Sequence, residues 1–160
     1  MNRLTVLILI FSVNLLAACT PAVSQDSAEP QNLPLLDIWS GDYPVTALGQ
    51  LPAGQQESSI GYIGDAATFA GIWKSYIPAD PLPEIDFAKN LVIFSRNVHF
   101  YNRTNILKVV LDADGVIEVL AMQTLSARPI EDKVAMAMVV IPRDGVIRLK
   151  TGENTSVPVE

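Results

Sequence analysis

The stretch Val134–Ile141, with the sequence VAMAMVVI, decides the fold class. Side chains of a β-strand alternate between its two faces, so this stretch presents Val and Met on one face and Ala, Val and Ile on the other. Neither face is polar. A strand that is apolar on both faces is usually central in its sheet and covered twice. We therefore expect one face to pack on a helix and the other on a second layer or a partner.

Further runs rich in β-branched and apolar residues surround this strand and are separated by turn residues. Asp114-Gly115 and Asp144-Gly145 supply the left-handed conformations that short turns need, so we expect antiparallel hairpins over Thr104–Met122 and Val134–Lys150. The other predicted strands are Tyr43–Ala47, Ile60–Ile63 and Asn90–Ser95.

One segment has the pattern of an amphipathic helix. Asp65 is a suitable N-cap, and Pro78 ends the pattern. The apolar residues between them recur at a spacing of three and four, which places them on one face, and we interpret that face as core. They are Phe69, Ile72, Trp73, Tyr76 and Ile77. The sequence therefore predicts an α+β fold, a mostly antiparallel β-sheet or sandwich with one amphipathic helix packed on it.

The start of the chain has the features of a bacterial lipoprotein signal peptide. Arg3 precedes an apolar segment, Leu4–Ala17, which is shorter than the roughly 20 residues that a spanning helix needs. The small residues Ala17-Ala18 lead to Cys19, whose thiol would take a diacylglyceryl group and whose new amino terminus would take a further acyl chain, such as palmitate. We expect residues 1–18 to be removed and Cys19 to hold the protein on a bilayer.

Composition divides the rest of the chain in two. Residues 19–34 are rich in Pro, Ser, Gln, Ala and acidic side chains and are expected to form a flexible tether, followed by a single domain over 35–160. Because Thr20 and not Asp follows Cys19, we favour the periplasmic face of the outer membrane. The formal net charge of −6, with no Lys or Arg between Arg3 and Lys74, argues against a nucleic-acid partner.

The residues that carry chemistry are sparse. His99 is the single histidine and Cys19 the single cysteine, so we expect no metal site and no other cofactor. A hydrolase remains an alternative, using Ser95 or the carboxylate pair Glu84 and Asp86, although no Gly-x-Ser-x-Gly motif is present. We expect a protein without catalytic activity.

One stretch between two predicted strands mixes aromatic, amide and basic side chains. Loops on rigid scaffolds often carry recognition, and Tyr and Arg are favoured at protein interfaces. A solvated hairpin is the alternative interpretation. The candidate binding residues are His99, Tyr101, Asn102 and Arg103.

The chain also resembles the PrcB-type carboxy-terminal domain, a family named for an accessory subunit of a bacterial surface protease complex. The resemblance covers about Ile60 to Lys150 and includes the helix with Trp73 and the strand that contains Leu91-Val92-Ile93-Phe94. It implies protein interaction in the cell envelope and assigns no active residue. Further matching positions are Pro83, Asp86, Phe87 and Pro142.

These observations together predict a lipid-anchored envelope protein whose domain binds another envelope protein, such as a protease or an assembly factor. A module that binds a small molecule or an envelope polymer is the second hypothesis. A deep apolar pocket with converging polar groups would favour that second hypothesis, and a flat exposed aromatic patch would favour the first. The sequence gives no indication of the oligomeric state.

Overall fold

The computed structural model describes residues 29–97, 103–124 and 132–160. These residues form nine strands, one α-helix and one 3₁₀ helix. The strands are β1 (Gln31–Leu33), β2 (Ile38–Pro44), β3 (Ile60–Ile63), β4 (Asn90–Arg96), β5 (Thr104–Leu111), β6 (Val116–Gln123), β7 (Lys133–Pro142), β8 (Arg148–Gly152) and β9 (Thr155–Pro158), with the 3₁₀ helix at Val45–Gln50 and helix α1 at Ala66–Tyr76. No helix in these ranges is long and apolar enough to cross a membrane.

The strands form two stacked sheets. The four-stranded sheet has the order β2-β7-β4-β3 and is antiparallel throughout, and the five-stranded sheet has the order β1-β5-β6-β8-β9, with one parallel pair, β6 with β8. Helix α1 packs on the face of the four-stranded sheet that the five-stranded sheet leaves uncovered. The α+β class expected from the sequence is therefore confirmed.

Strand β7 lies in the middle of the four-stranded sheet and is buried on both faces, as its sequence predicts. Met136 and Met138 pack in a cluster with the helix, whereas Val139 and Ile141 pack against the five-stranded sheet. Each of these four side chains is 0% exposed. The chain thus has three layers, with β7 and β4 shared by two cores.

Helix α1 begins and ends where the sequence predicts. The Asp65 carboxylate accepts a hydrogen bond from the Thr68 backbone N–H (2.8 Å), and this bond lowers the pKa of Asp65. At the other end the Ile77 N–H donates to the Trp73 carbonyl (2.7 Å), one residue before Pro78. Phe69, Ile72, Trp73 and Tyr76 are buried, so the interpretation of the aromatic stripe as core is confirmed.

Of the two hairpins expected from the sequence, one is confirmed and one is wrong. β5 and β6 pair antiparallel around Gly115, which has φ +76°. Gly145 also turns the chain with positive φ (+74°), but β8 does not return along β7. Because β2 and β4 already occupy both edges of β7, β8 crosses to the other sheet and pairs parallel to β6.

Two further expectations need correction, and one strand was not predicted. Residues 31–33, assigned to the tether, form β1 because their backbone pairs with β5 and Leu33 is buried. The strand expected over Tyr43–Ala47 begins earlier, at Ile38, and the chain turns into the 3₁₀ helix from Val45. β9 is too short and polar to give a sequence signal, and it forms because it completes the edge beside β8.

Candidate functional site

Of the predicted binding residues, the structure describes Arg103, which lies at one end of the molecule, just before β5 begins. Arg103 is exposed, and its carbonyl accepts a hydrogen bond from the Thr124 N–H (3.1 Å). His99, Tyr101 and Asn102 lie outside the described residues, as does the predicted lipidation site, Cys19. We call this end of the molecule the β4 end.

Polar side chains are buried beneath the β4 end. Asn97 Nδ2 donates to the Thr124 carbonyl (3.3 Å), and Ser95 Oγ lies 3.5 Å from Thr104 Oγ1. Gln123 Nε2 donates to the Arg96 carbonyl (3.0 Å). Buried polar groups need such partners, and these bonds join the ends of β4, β5 and β6. They give the β4 end a rigid base.

Arg96 is the one buried charge of this base within the described ranges. Its guanidinium Nε donates to the Ser58 carbonyl (2.7 Å), whereas Nη2 is buried without a partner, and desolvation lowers the pKa of Arg96. The hydroxyl of Tyr76 is buried without a hydrogen bond too, and burial raises the pKa of Tyr76 to about 12. The Tyr76 ring stacks on Tyr43 with centroids 5.0 Å apart.

An open groove runs between the two sheets at the β4 end. Its volume is about 330 Å³, and its walls are β2 and the start of β5 with the preceding Arg103. β1 pairs only with Val109–Leu111, so the edge of β5 from Thr104 to Ile106 has no neighbouring strand in the described chain. The groove is lined by Ser40, Gly41 and Asp42 of β2 on one side and by Arg103, Thr104 and Asn105 on the other.

The β2 wall of the groove is a strand edge whose outward backbone groups have no partner among residues 29–97, 103–124 and 132–160. Just beyond the two ends of β2, the Val45 N–H donates to the Asp132 carbonyl (3.1 Å) and the Asp37 carbonyl accepts from the Val140 N–H (2.9 Å). The odd-numbered residues of β2 therefore direct their backbone groups to β7. Successive residues of an antiparallel strand direct their backbone groups to opposite sides. The N–H and C=O groups of Ser40 and Asp42 therefore point away from β7.

At the opposite edge of the same sheet, one outward backbone donor is covered. Tyr62 N, the corresponding outward donor of β3, is bonded to the side-chain Oε1 of Gln55 (2.7 Å), which is itself buried. Proteins commonly blunt exposed strand edges in this way because free edges pair with other chains. The outward N–H of Tyr62 in β3 therefore has a partner, whereas those of Ser40 and Asp42 in β2 have none within the described residues.

Ser95 and Asp86, which the hydrolase alternative would use, both have hydrogen-bond partners within the fold. Ser95 is 0% exposed and hydrogen-bonded within the base of the β4 end, so a substrate does not reach it. Asp86 Oδ1 accepts from the Ala88 N–H (3.1 Å), and its ion pair with Lys89 (3.2 Å) lowers its pKa. Both side chains are therefore held by bonds within the fold.

A second groove, of about 290 Å³, lies beside the end of α1 between Trp73, Ile77, Pro78 and Leu82. It is apolar, but Trp73 is 4% exposed and its Nε1 is already bonded to the Asp80 carbonyl (3.4 Å). Lys74 and Asp80 are the charged residues of its lining.

The sequence pattern indicates a site at His99, Tyr101, Asn102 and Arg103, and it does not indicate the β2 wall of the groove. The pairing of β2 with β7 joins residues nearly a hundred positions apart, and no local pattern reports it. The exposed polar residues Ser40 and Asp42 within an otherwise apolar run were the available signal. No family model, curated protein or solved structure matches this chain.

Proposed function

We propose that this protein is a lipid-anchored protein of the bacterial envelope whose domain binds an extended segment of another envelope protein. The segment adds as a further strand to the open edge of β2 and fills the groove between the sheets. The observation that carries this proposal is the pair of strand edges, β2 and the first half of β5, that face one groove without a neighbouring strand in the described chain.

The chemistry of the groove supports an extended peptide. The outward backbone groups of Ser40 and Asp42 supply hydrogen bonds that are independent of sequence, as in other strand-addition complexes. Along the same strand Ile38 is 57% exposed, and just before it Leu36 is 51% exposed. Apolar side chains of the partner segment contact this end of β2, and the Asp42 carboxylate selects against acidic side chains at the other end.

The remaining parts of the proposal come from the sequence. The signal peptide and Cys19 supply the anchor, and the resemblance to the PrcB-type domain supports protein interaction over catalysis. The candidate residues His99, Tyr101, Asn102 and Arg103 belong to the segment that joins β4 to the β5 wall of the groove. They contribute the specificity that backbone pairing lacks.

Photocrosslinking in intact cells tests the proposal. A photoreactive amino acid replaces Asn105 in the groove, and a control replaces Ser75 on the exposed face of α1. We expect an adduct with one defined envelope protein from Asn105 and none from Ser75. A ladder of adducts that is the same at both positions would contradict the proposal.

A pair of edge variants then tests the binding mode. Ser40→Pro removes the outward N–H at a position where proline is tolerated, because edge strands accept it on the solvent side. Ser40→Val keeps that N–H and changes the side chain only. We expect the Asn105 adduct to be lost in Ser40→Pro and kept in Ser40→Val, with similar thermal unfolding of both. Equal adducts from both variants would refute strand addition.

A further inference from the structure

The outer face of the five-stranded sheet carries exposed apolar side chains. Leu120 and Met122 project from β6 on the side opposite to the buried Ile117 and Val119, and they are 55% and 48% exposed. Leu107, the unpaired residue where the register of β5 shifts, is 53% exposed. Because these three large apolar side chains lie on neighbouring strands, they form a patch and are not isolated surface residues.

The charged side chains on the same face are mostly basic. Lys108 pairs across the sheet with Leu120, and Arg148 pairs with Val116 of the same strand. Lys150 is neutralised by Glu118 (3.0 Å), which leaves Lys108 and Arg148 as the excess positive charge. The carboxylates Asp112 and Asp114 lie in the turn at the far end of the hairpin from Met122.

The opposite side of the molecule is acidic. The part of the chain that builds the four-stranded sheet up to β4 and the helix layer, residues 35–97, contains seven acidic and three basic side chains, and one basic residue, Arg96, is buried. An anionic surface therefore repels the helix side and attracts the outer face of the five-stranded sheet. The acidic residues are Asp37, Asp42, Glu57, Asp65, Asp80, Glu84 and Asp86, whereas Glu29 precedes β1 of the five-stranded sheet.

The described chain also enters on this sheet. β1 is its edge strand, and Glu29 is ten residues from Cys19. A linker of ten residues spans about 18 Å on average, so an acylated Cys19 would keep the five-stranded sheet close to the bilayer.

We propose that the outer face of the five-stranded sheet lies on the anionic phospholipid surface of the bilayer to which Cys19 is anchored. Leu107, Leu120 and Met122 contact the headgroup region, and Lys108 and Arg148 contact lipid phosphates. This orientation rests on the lipid anchor of the proposed function. The β2 edge belongs to the other sheet, so it does not take part in this contact.

Site-directed spin labelling of the lipidated full chain tests this orientation. Because acylation uses the only native thiol, Leu120→Cys or Ser75→Cys provides the single free thiol for a nitroxide. In vesicles of phosphatidylethanolamine and phosphatidylglycerol, we expect the label at position 120 to collide more with oxygen than with a water-soluble nickel complex, and the label at 75 to show the reverse. In phosphatidylcholine vesicles, the label at 120 should become accessible to nickel.

Charge removal provides the matched control. A basic side chain near an anionic surface strengthens association about fivefold, so Lys108→Gln with Arg148→Gln should weaken the contact roughly 25-fold. A label at 120 that is as accessible to nickel as the label at 75 on anionic vesicles would overturn the proposal. Protection at 120 that persists on neutral vesicles would also overturn it, because a protein partner or a second copy would then cover the face.

Flotation of the same samples separates this inference from the proposed function. A chain that floats with vesicles but leaves the label at 120 in water has its anchor and lacks this orientation. A chain that fails to float lacks the anchor, and both proposals of membrane attachment are then wrong. Crosslinking from Asn105 reports the groove independently of either result.

Discussion

Truncating β7 on each of its faces in turn tests the three-layer arrangement. Met138 packs in the core shared with α1, and the adjacent Val139 packs in the core between the sheets. Met138→Ala should lower the free energy of unfolding by roughly 2–5 kcal/mol, the usual cost of such a buried truncation. Val139→Ala removes two methyl groups, about 1.6 kcal/mol by transfer, and the cavity raises the cost to about 2–3 kcal/mol.

These losses are large beside the roughly 5–15 kcal/mol by which a domain of this size is stable. Urea unfolding followed by circular dichroism measures them, with the fluorescence of Trp39 and Trp73 as a second probe. These two indoles lie edge to face, 5.2 Å apart, in the core shared with α1, so their emission reports its unfolding. Leu120→Ala, on the exposed face of β6, is the control and should change stability by less than about 0.5 kcal/mol.

Because both faces of β7 are covered in the three-layer arrangement, Met138→Ala and Val139→Ala must both lower the free energy of unfolding. If Val139→Ala cost no more than Leu120→Ala, the two sheets would not pack on each other, and the groove between them would not exist.

Three further predictions concern single side chains, and urea unfolding measures each. Asp65→Ala should cost about 1 kcal/mol at neutral pH. The folded-state pKa of Asp65 lies below 3.8 because the Thr68 N–H donates to its carboxylate. The contribution of Asp65 to stability is therefore present above pH 3.8 and is lost as the pH falls through the folded-state pKa. If Asp65→Ala cost the same stability at neutral and at strongly acidic pH, the cap would be contradicted. Tyr76→Phe removes a buried hydroxyl without a hydrogen bond and should leave stability unchanged or raise it by up to about 1 kcal/mol, whereas a clear loss would indicate a partner for that hydroxyl. Gly61→Ala should cost about 1–3 kcal/mol, because the added methyl group would overlap the Phe94 ring and Gln55 Oε1; a neutral result would mean that β3 is free to move.

The parts of the fold that depend on local pattern could be predicted from the sequence. The two apolar faces of Val134–Ile141 require cover on both sides, and Asp65 and Pro78 delimit the helix by backbone chemistry alone. Asp114-Gly115 closes a hairpin because the residues on either side are adjacent in the chain and β5 had a free edge. Each of these features is determined within about 20 residues.

The parts that depend on competition between distant strands could not be predicted. Asp144-Gly145 has the same turn chemistry as Asp114-Gly115, yet the strand after it finds β7 already paired on both sides. β1 contributes one buried side chain, Leu33, so its pairing with β5 leaves little trace in composition. The groove follows from both effects, since it exists only where β1 stops short and β2 reaches the sheet edge.

We infer that the open edge of β2 receives a partner strand, and the rate of amide hydrogen exchange along β2 is the most direct test. The measurement compares the free chain with the complex recovered by crosslinking from Asn105. In the free chain the amides of Ser40 and Asp42 should exchange faster than those of Trp39 and Gly41, which bond to β7. In the complex, we expect the amides of Ser40 and Asp42 to become protected from exchange. The exchange rates of the Trp39 and Gly41 amides should change little. Exchange at Ser40 and Asp42 that is equally fast in the complex and in the free chain would contradict the claim.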